Sequence, residues 1–228
     1  MTMKNWVGIP TEWIEQGGLK DYRWAKFEGS SAIAALMILA AIAHHCDDEC
    51  KARVTYDVLA LATGLSRTKI AEGLKVLKSR NVIELSAENQ SVYRLTNYNP
   101  KRGWGKLPAK LMYREGVVTA FKDFHLRKVA ELDALKAYFV IVARRDNNTN
   151  LANVTYDKLE DLAGINRSRI KTAISLLLVN NLVQVEQAAS SVSQYGVSNA
   201  YRLVHLDGGR HMGTIGRRLM SEGGFKDT

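Results

Sequence analysis

The chain has 228 residues, of which 46% are hydrophobic and 24% are charged. This length suffices for one large domain or for two domains of roughly 100 residues each, and the composition excludes a chain that is disordered throughout. The formal net charge of +9 favours a polyanionic partner, nucleic acid first and an anionic membrane second.

The positive charge lies mostly after residue 100. Residues 1–100 carry 12 Lys and Arg against 11 Asp and Glu, whereas residues 101–228 carry 20 against 12. We therefore expect a polyanion to be bound most strongly in the second part of the chain or around the junction. No signal peptide is recognisable, and the longest apolar run, Ala32–Ala43, is shorter than the roughly 20 residues of a membrane span. These features predict a cytoplasmic protein that does not contact a membrane.

The first elements in chain order are an apolar segment marked by Trp6 and Pro10 and a helix over Ile33–His45. The histidines and cysteines between His44 and Cys50 are ligand types that zinc prefers. Because a structural zinc site usually draws its ligands from two parts of a chain, we interpret this cluster as a helix end and a loop. Two cysteines are also too few for a disulfide framework.

Two further helices follow, separated by a tight turn. Thr55 can cap a helix over Tyr56–Thr63, and Gly64 can end that helix in the left-handed conformation. Ser66 can cap the next helix, and Asn81 ends it. The apolar residues of this second helix are spaced as one buried face: Ile70, Leu74 and Leu77.

Short extended pieces surround these helices. Arg53–Thr55 precedes them, and Val82–Leu85 and Val92–Leu95 predict two strands joined by the polar turn Ser86–Ser91. The linker Asn97–Lys110 follows. Its basic residues permit two interpretations, a solvated connection or a clamp on phosphates: Lys101, Arg102, Lys106 and Lys110.

The chain then repeats this order of elements. Thr55-Tyr56-Asp57 recurs as Thr155-Tyr156-Asp157, and the same shift of 100 matches Gly64 to Gly164, Arg67 to Arg167 and Ile70 to Ile170. Asp133–Arg145 corresponds to the helix at Ile33–His45. Val92–Leu95 recurs as Ala200–Leu203 with a shift of 108, so we expect the extra residues to form a longer loop at Gln187–Asn199.

The opening segment also repeats, since Trp6–Ile14 is similar to Trp104–Met112. A weaker similarity to it, between Arg210 and Met220, indicates a partial third copy. We therefore predict a first domain at 1–97, a second domain at 98–206 and a tail at 207–228. If the tail packs as Trp104–Met112 does, it could join copies of the chain head to tail.

The pattern from Leu59 to Ile70 is similar to the helix-turn-helix core of many bacterial regulators. The order of elements over about 35–95 and 135–203 resembles the winged helix-turn-helix family. Two such units in a small basic chain also resemble the plasmid replication initiators, which bind repeated origin sites through two winged helices. The resemblance implies a mainly α fold with small β-hairpins (α+β), built from two tandem winged-helix domains related by duplication.

In that family the second helix of each motif enters the major groove of duplex DNA. Arg and Lys suit guanine edges there, and Ser and Thr suit bases or phosphates. The candidate residues of the first unit are Ser66, Arg67, Thr68, Lys69, Glu72, Lys75 and Arg94, with Lys101 and Arg102 in the linker. Those of the second unit are Asn166, Arg167, Ser168, Arg169, Lys171, Thr172, Ser175 and Arg202.

Structural interpretations of these residues stay open. Polar side chains cover the solvent side of any surface helix, and Leu176 and Val179 indicate that the second helix could pack against protein instead. Neither hairpin tip carries Arg or Lys. Arg94 and Arg202, which follow the tips, could reach phosphate or could pack their stems on tyrosines.

These observations predict a non-enzymatic protein without a cofactor that binds double-stranded DNA in a sequence-specific manner. No phosphate-binding loop and no nucleophile with a matched base is recognisable in the chain. We expect a role in replication initiation, maintenance or transcriptional control of a plasmid or other mobile element. Self-association or a replication or transcription protein could accompany DNA. The alternative is a protein-interaction scaffold of a chromosome-organising or regulatory complex.

Overall fold

The computed structural model describes residues 3–26, 28–86, 91–189 and 197–206. Helices and small antiparallel sheets make up these residues, so the fold is mixed α and β. None of the helices in the described ranges has the length and apolar character that crossing a membrane requires. The predicted third copy in the tail lies outside the described residues.

The described residues of the first half form four helices and four strands. In chain order they are β1 (Trp6–Pro10), α1 (Glu12–Glu15), α2 (Gly29–His44), β2 (Lys51–Arg53), α3 (Tyr56–Thr63), α4 (Arg67–Ser79), β3 (Ile83–Leu85) and β4 (Val92–Leu95), with a 3-10 turn at Gly18–Asp21. Strand β4 lies between β2 and β3 and is antiparallel to both.

The second half follows the same order after its opening segment. Its elements are β5 (Trp104–Pro108), β6 (Tyr113–Arg114), β7 (Val117–Val118), α5 (Val129–Arg144), β8 (Leu151–Asn153), α6 (Tyr156–Ala163), α7 (Arg167–Val179), β9 (Val183–Ala189) and β10 (Val197–Leu203), with 3-10 turns at Lys110–Met112 and Thr119–Phe121. Strand β10 is again the middle strand, between β8 and β9.

The predicted helix caps are confirmed. The Thr55 hydroxyl accepts the Val58 N–H at 3.3 Å, and the Ser66 hydroxyl accepts the Lys69 N–H at the same distance. Gly64 has a φ of 70° and donates its N–H to the carbonyl of Ala60, as a left-handed C-terminal cap does. Local side-chain chemistry therefore fixes the short turn between α3 and α4.

Helices α2 and α5 pack against each other at the centre of the molecule. Every residue of α2 except Ser30 is buried, as the run of Ala, Ile and Leu around all sides of the helix requires. Helix α4 packs on α2, and α7 packs on α5. Each second helix of a helix–turn–helix pair is thus supported by a buried helix of its own half.

The structure differs from three sequence predictions. Strand β5 occupies residues 104–108 of the linker at 97–110 that was interpreted as a solvated connection or a clamp. Strands β9 and β10 extend to Ala189 and from Val197, so the loop predicted at Gln187–Asn199 is shorter; residues 190–196 lie outside the described residues. The extended piece predicted at Arg53–Thr55 is shifted to Lys51–Arg53, because Thr55 is occupied as a cap.

The opening segments of the two halves pair with each other. Strands β1 and β5 form an antiparallel ribbon in which Trp6 lies opposite Pro108, Gly8 opposite Lys106 and Pro10 opposite Trp104. The rings of Trp6 and Trp104 stack with centroids 6.1 Å apart and planes 8° from parallel. This ribbon packs on both central helices.

Candidate nucleic-acid interface

Helix α4 is anchored on α2 by its apolar side. Ile70 and Leu77 are fully buried there. At Gly73 the backbone comes so close that an added Cβ would lie 2.5 Å from Cδ1 of Ile38. A rigid, tightly seated helix is the kind of element that can hold side chains in a fixed position toward a partner.

The opposite side of α4 carries exposed residues at helical spacing. They are Thr68, Ala71, Lys75 and Lys78. Within the described residues, Thr68, Lys75 and Lys78 make no side-chain hydrogen bond or ion pair. Ala71 and Lys78 were not among the predicted site residues. Their positions, three and ten residues after Thr68 respectively, would have identified them, because these spacings fall on one helix face.

Lys69 and Glu72 do not lie on this exposed side, contrary to the sequence prediction. The Lys69 ammonium donates to the Ser30 hydroxyl at 3.0 Å and to the Glu72 carboxylate at 2.6 Å, and the Ser31 hydroxyl donates to the same carboxylate at 2.7 Å. These hydrogen bonds lower the pKa of Glu72. Both residues tie α4 to the start of α2.

Helix α7 presents a different set of exposed side chains. Ser168, Lys171, Thr172 and Ser175 are all exposed. Ser168 donates its hydroxyl to the Asn166 side chain at 2.6 Å, and Ser175 donates to the carbonyl of Lys171 at 2.9 Å. Neither Lys171 nor Thr172 has a polar side-chain partner among the residues that the structure describes.

Arg169 is also placed differently from the prediction. Its Nε donates to the carboxylate of Asp133 at 2.7 Å, and the Asp133 side chain is only 3% exposed. The Arg169 guanidinium is therefore engaged with α5. It occupies the position that corresponds to Lys69, which contacts α2 in the same way.

Arg67 and Arg167 each join the two helices of their motif. Arg67 pairs with Asp57 at 2.5 Å, and Arg167 pairs with Asp157. The Arg67 and Arg167 side chains are 70% and 60% exposed, and such pairs contribute only about 0–1 kcal/mol. A phosphate could therefore replace either aspartate at little cost.

The two arginines after the hairpins have different environments. Arg202 is buried; its Nε donates to Glu186 at 2.6 Å and its Nη1 donates to the carbonyl of Thr149 at 3.0 Å. The Arg202 guanidinium is therefore engaged within the protein and does not face outward for a phosphate; its partners are Glu186 and Thr149. Arg94 is exposed on β4 and has no such partner among the described residues.

The basic residues before the ribbon remain at the surface. Lys101 and Arg102 are exposed, and the Lys101 backbone N–H donates to the Asn99 side chain at 2.9 Å. Lys106 lies over the ring of Trp6, with Nζ 4.7 Å from the centroid. Lys106, in the middle of β5, therefore packs on the aromatic ring at the start of β1.

The histidine and cysteine cluster is part of the packed interior. His44 Nδ1 lies 3.0 Å from the hydroxyl of Tyr113, and the Cys50 thiol donates to the carbonyl of Gly8 at 3.3 Å. Burial lowers the pKa of His44 to about 3. In the part of the chain that the structure describes, no three His, Cys, Asp or Glu side chains converge as ligands for a metal ion.

Comparison with known proteins does not assign the chain to a family. No protein-family model matches it, and searches of curated proteins and of solved structures found no significant match.

Proposed function

We propose that the chain binds duplex DNA in a sequence-specific manner through two winged helix-turn-helix units. The proposal rests on the placement of helices α4 and α7. Each follows a short capped helix and a glycine turn, each is seated on a buried helix, and each presents unpaired polar side chains outward. That arrangement suits insertion into a major groove.

In this proposal the two helices make unequal numbers of contacts with DNA. Lys75 and Lys78 give α4 two cations along its exposed side, whereas Ser175 and Leu178 stand at the corresponding positions of α7. Of the contacts that these two helices make, we assign the larger share to α4, which departs from the expectation that the more basic second part of the chain binds a polyanion most strongly. Lys171 and Thr172 are the residues of α7 that can contact DNA without breaking an internal bond.

The biological setting is part of the proposal. The resemblance to plasmid replication initiators favours a role in replication initiation, maintenance or transcriptional control of a mobile element. The net charge of +9 supports binding to a polyanion. No catalytic step and no cofactor is needed for this function.

A protein-interaction scaffold is the second candidate. It is favoured by Leu178 and Val179 at the end of α7, which are 42% and 78% exposed, and by Val185 on the adjacent hairpin, which is 37% exposed. Consecutive exposed aliphatic residues such as Leu178 and Val179 are typical of surfaces that contact protein.

The test is selection of bound duplexes from a random pool, followed by titration of the enriched duplex with purified variants. Lys75→Ala and Thr172→Ala remove exposed side chains that have no internal partner. We expect each variant to bind the selected duplex about 5- to 150-fold more weakly, because a good base contact contributes about 1–3 kcal/mol.

Lys122→Ala is the matched control, since Lys122 is exposed and lies on neither helix. This substitution removes one positive charge, and we expect it to change the affinity for the selected duplex by less than about threefold at about 150 mM salt. Absence of enrichment with the wild-type protein, or equal effects of Lys75→Ala and Lys122→Ala, would contradict the proposal.

A further inference from the structure

The ribbon of β1 and β5 relates the two halves in a symmetric way. Trp6–Pro10 corresponds to Trp104–Pro108 in the sequence repeat, with a shift of 98. In the ribbon Trp6 lies opposite Pro108, and Pro10, the counterpart of Pro108, lies opposite Trp104, the counterpart of Trp6. Exchanging the two strands therefore leaves the set of paired positions unchanged, which is the property of a twofold axis and not of a translation.

At the same shift of 98, the opening segments continue to residues 6–21 and 104–119. Side-chain contacts that these segments make across the molecule follow the same reciprocity. Glu15 in the first opening segment pairs with Arg144 at the end of α5 at 2.8 Å. Tyr113 in the second opening segment lies 3.0 Å from His44 at the end of α2. Tyr113 stands 98 residues after Glu15, and Arg144 stands 100 residues after His44. The two contacts therefore occupy corresponding positions with the halves exchanged.

The opening segments are also exchanged at the helix-turn-helix pairs. Lys20 of the first segment lies 3.7 Å from Asp161 on α6. Gly116 of the second segment lies so close to Leu61 on α3 that an added Cβ would be 2.7 Å from Leu61 Cδ2. Leu61 and Asp161 are corresponding residues. Each segment thus packs on the first helix of the other half's motif.

From this reciprocity we infer that α4 and α7 read two half-sites in inverted orientation on one duplex. The inference rests on the proposed function, and it adds the arrangement of the DNA site. A duplex has local twofold axes perpendicular to its length. Two twofold-related helices make equivalent contacts with one duplex only when these axes coincide, so the half-sites run in opposite directions. A translation would instead give direct repeats.

The exposed residues of the two helices differ, so the site is an imperfect palindrome. Thr68, Ala71, Lys75 and Lys78 on α4 stand where α7 has Ser168, Lys171, Ser175 and Leu178. With unlike half-sites, their relative orientation cannot be recognised in the DNA sequence itself. Making the two helices alike removes this difficulty.

The experiment therefore grafts the exposed side of α4 onto α7. The variant Ser168→Thr, Lys171→Ala, Ser175→Lys and Leu178→Lys also carries Thr172→Ala, because Thr172 is exposed whereas its counterpart Glu72 is tied to α2. It is used for selection from a random duplex pool, beside the wild-type protein. All five positions are exposed, so we expect the variant to fold. The reverse variant, with Thr68→Ser, Ala71→Lys, Lys75→Ser and Lys78→Leu on α4 and Thr172→Ala on α7, makes the same test on the other helix.

We expect the graft to enrich two similar half-sites that are reverse complements of each other at a fixed spacing. Two similar half-sites in the same direction would overturn the inference, and so would enrichment of a single half-site by both grafted proteins while circular dichroism shows them folded. Failure of the wild-type protein to enrich any sequence would instead reject the proposed function. The two failures are therefore distinguishable.

Discussion

At the residue scale, the amino-acid type alone does not tell a DNA contact from an internal one. Arg167 and Arg169 lie two residues apart on α7 and both fit guanine or phosphate chemically. Arg167 is exposed beside an exposed aspartate, whereas Arg169 contacts the buried Asp133. The sequence could not reveal this difference, because Asp133 lies on another helix 36 residues away.

Arg169→Ala is therefore expected to act through stability. Removal of the guanidinium leaves the buried carboxylate of Asp133 with one strong hydrogen bond fewer, which costs about 1–3 kcal/mol. Arg167→Ala breaks an exposed pair and costs about 0–1 kcal/mol. Urea denaturation of both variants measures the two free energies of unfolding, and a larger loss for Arg167→Ala would contradict the assigned contacts.

Burial of His44 makes stability depend on pH. Its pKa is lowered to about 3 in the folded chain, so between this value and about 6.5 the unfolded chain binds the extra proton. The free energy of unfolding therefore falls as pH falls through this range, by at most about 1.4 kcal/mol per pH unit from this group. His44→Gln is expected to flatten the dependence.

The exposed His125 supplies the control for that measurement. His125→Gln should leave the change of unfolding free energy between pH 6.5 and 4 as it is in the wild-type protein. If the free energy of unfolding depended on pH in the same way in His44→Gln and His125→Gln, the assignment of His44 to a buried environment would be contradicted.

At the element scale, the sequence predicts what is decided locally. Thr55, Ser66 and Gly64 mark the ends of α3 and α4 because a hydroxyl or a missing Cβ satisfies the terminal peptide groups by itself. Strand β5 was missed because it pairs with β1, almost a hundred residues earlier. A strand held by a distant partner leaves little sign in its own composition.

Gly73 determines how closely α4 approaches α2. Alanine is the better helix former by about 1 kcal/mol, yet its methyl group would overlap Ile38 and the backbone near Ala35. We expect Gly73→Ala to lower the free energy of unfolding by about 1–3 kcal/mol, as overpacking does. Ala71→Gly, on the exposed side of the same helix, controls for helix propensity, and a Gly73→Ala variant more stable than the wild type would show that the helices are not in close contact.

At the scale of the whole molecule, the two halves are joined not only by a linker but also by opening segments that each pack on the opposite half. The repeat indicates two units, and the division at 97 and 98 remains a prediction. The opening segment of each half, however, packs on the other half, and α2 is buried against α5. This intertwining was not predictable, because the repeat shows which segments are alike and not which segments touch.

Such a molecule should unfold as one cooperative unit. We expect a single calorimetric transition whose van't Hoff and calorimetric enthalpies agree. Residues 1–97 alone expose the side of α2 that α5 covers, so the isolated fragment should show no cooperative transition. Two separate transitions in the full chain, or a stable isolated fragment, would show that the exchanged contacts contribute little.

Contact between duplex DNA and the exposed sides of α4 and α7 can be observed by cross-linking. A photo-cross-linking amino acid is placed at position 75, 172 or 122, and the cross-linked bases on the selected duplex are identified by sequencing. We predict cross-links from Lys75 and Thr172 to two separate half-sites and none from the control position Lys122. Cross-links from position 122 alone, or none from either helix, would contradict this contact.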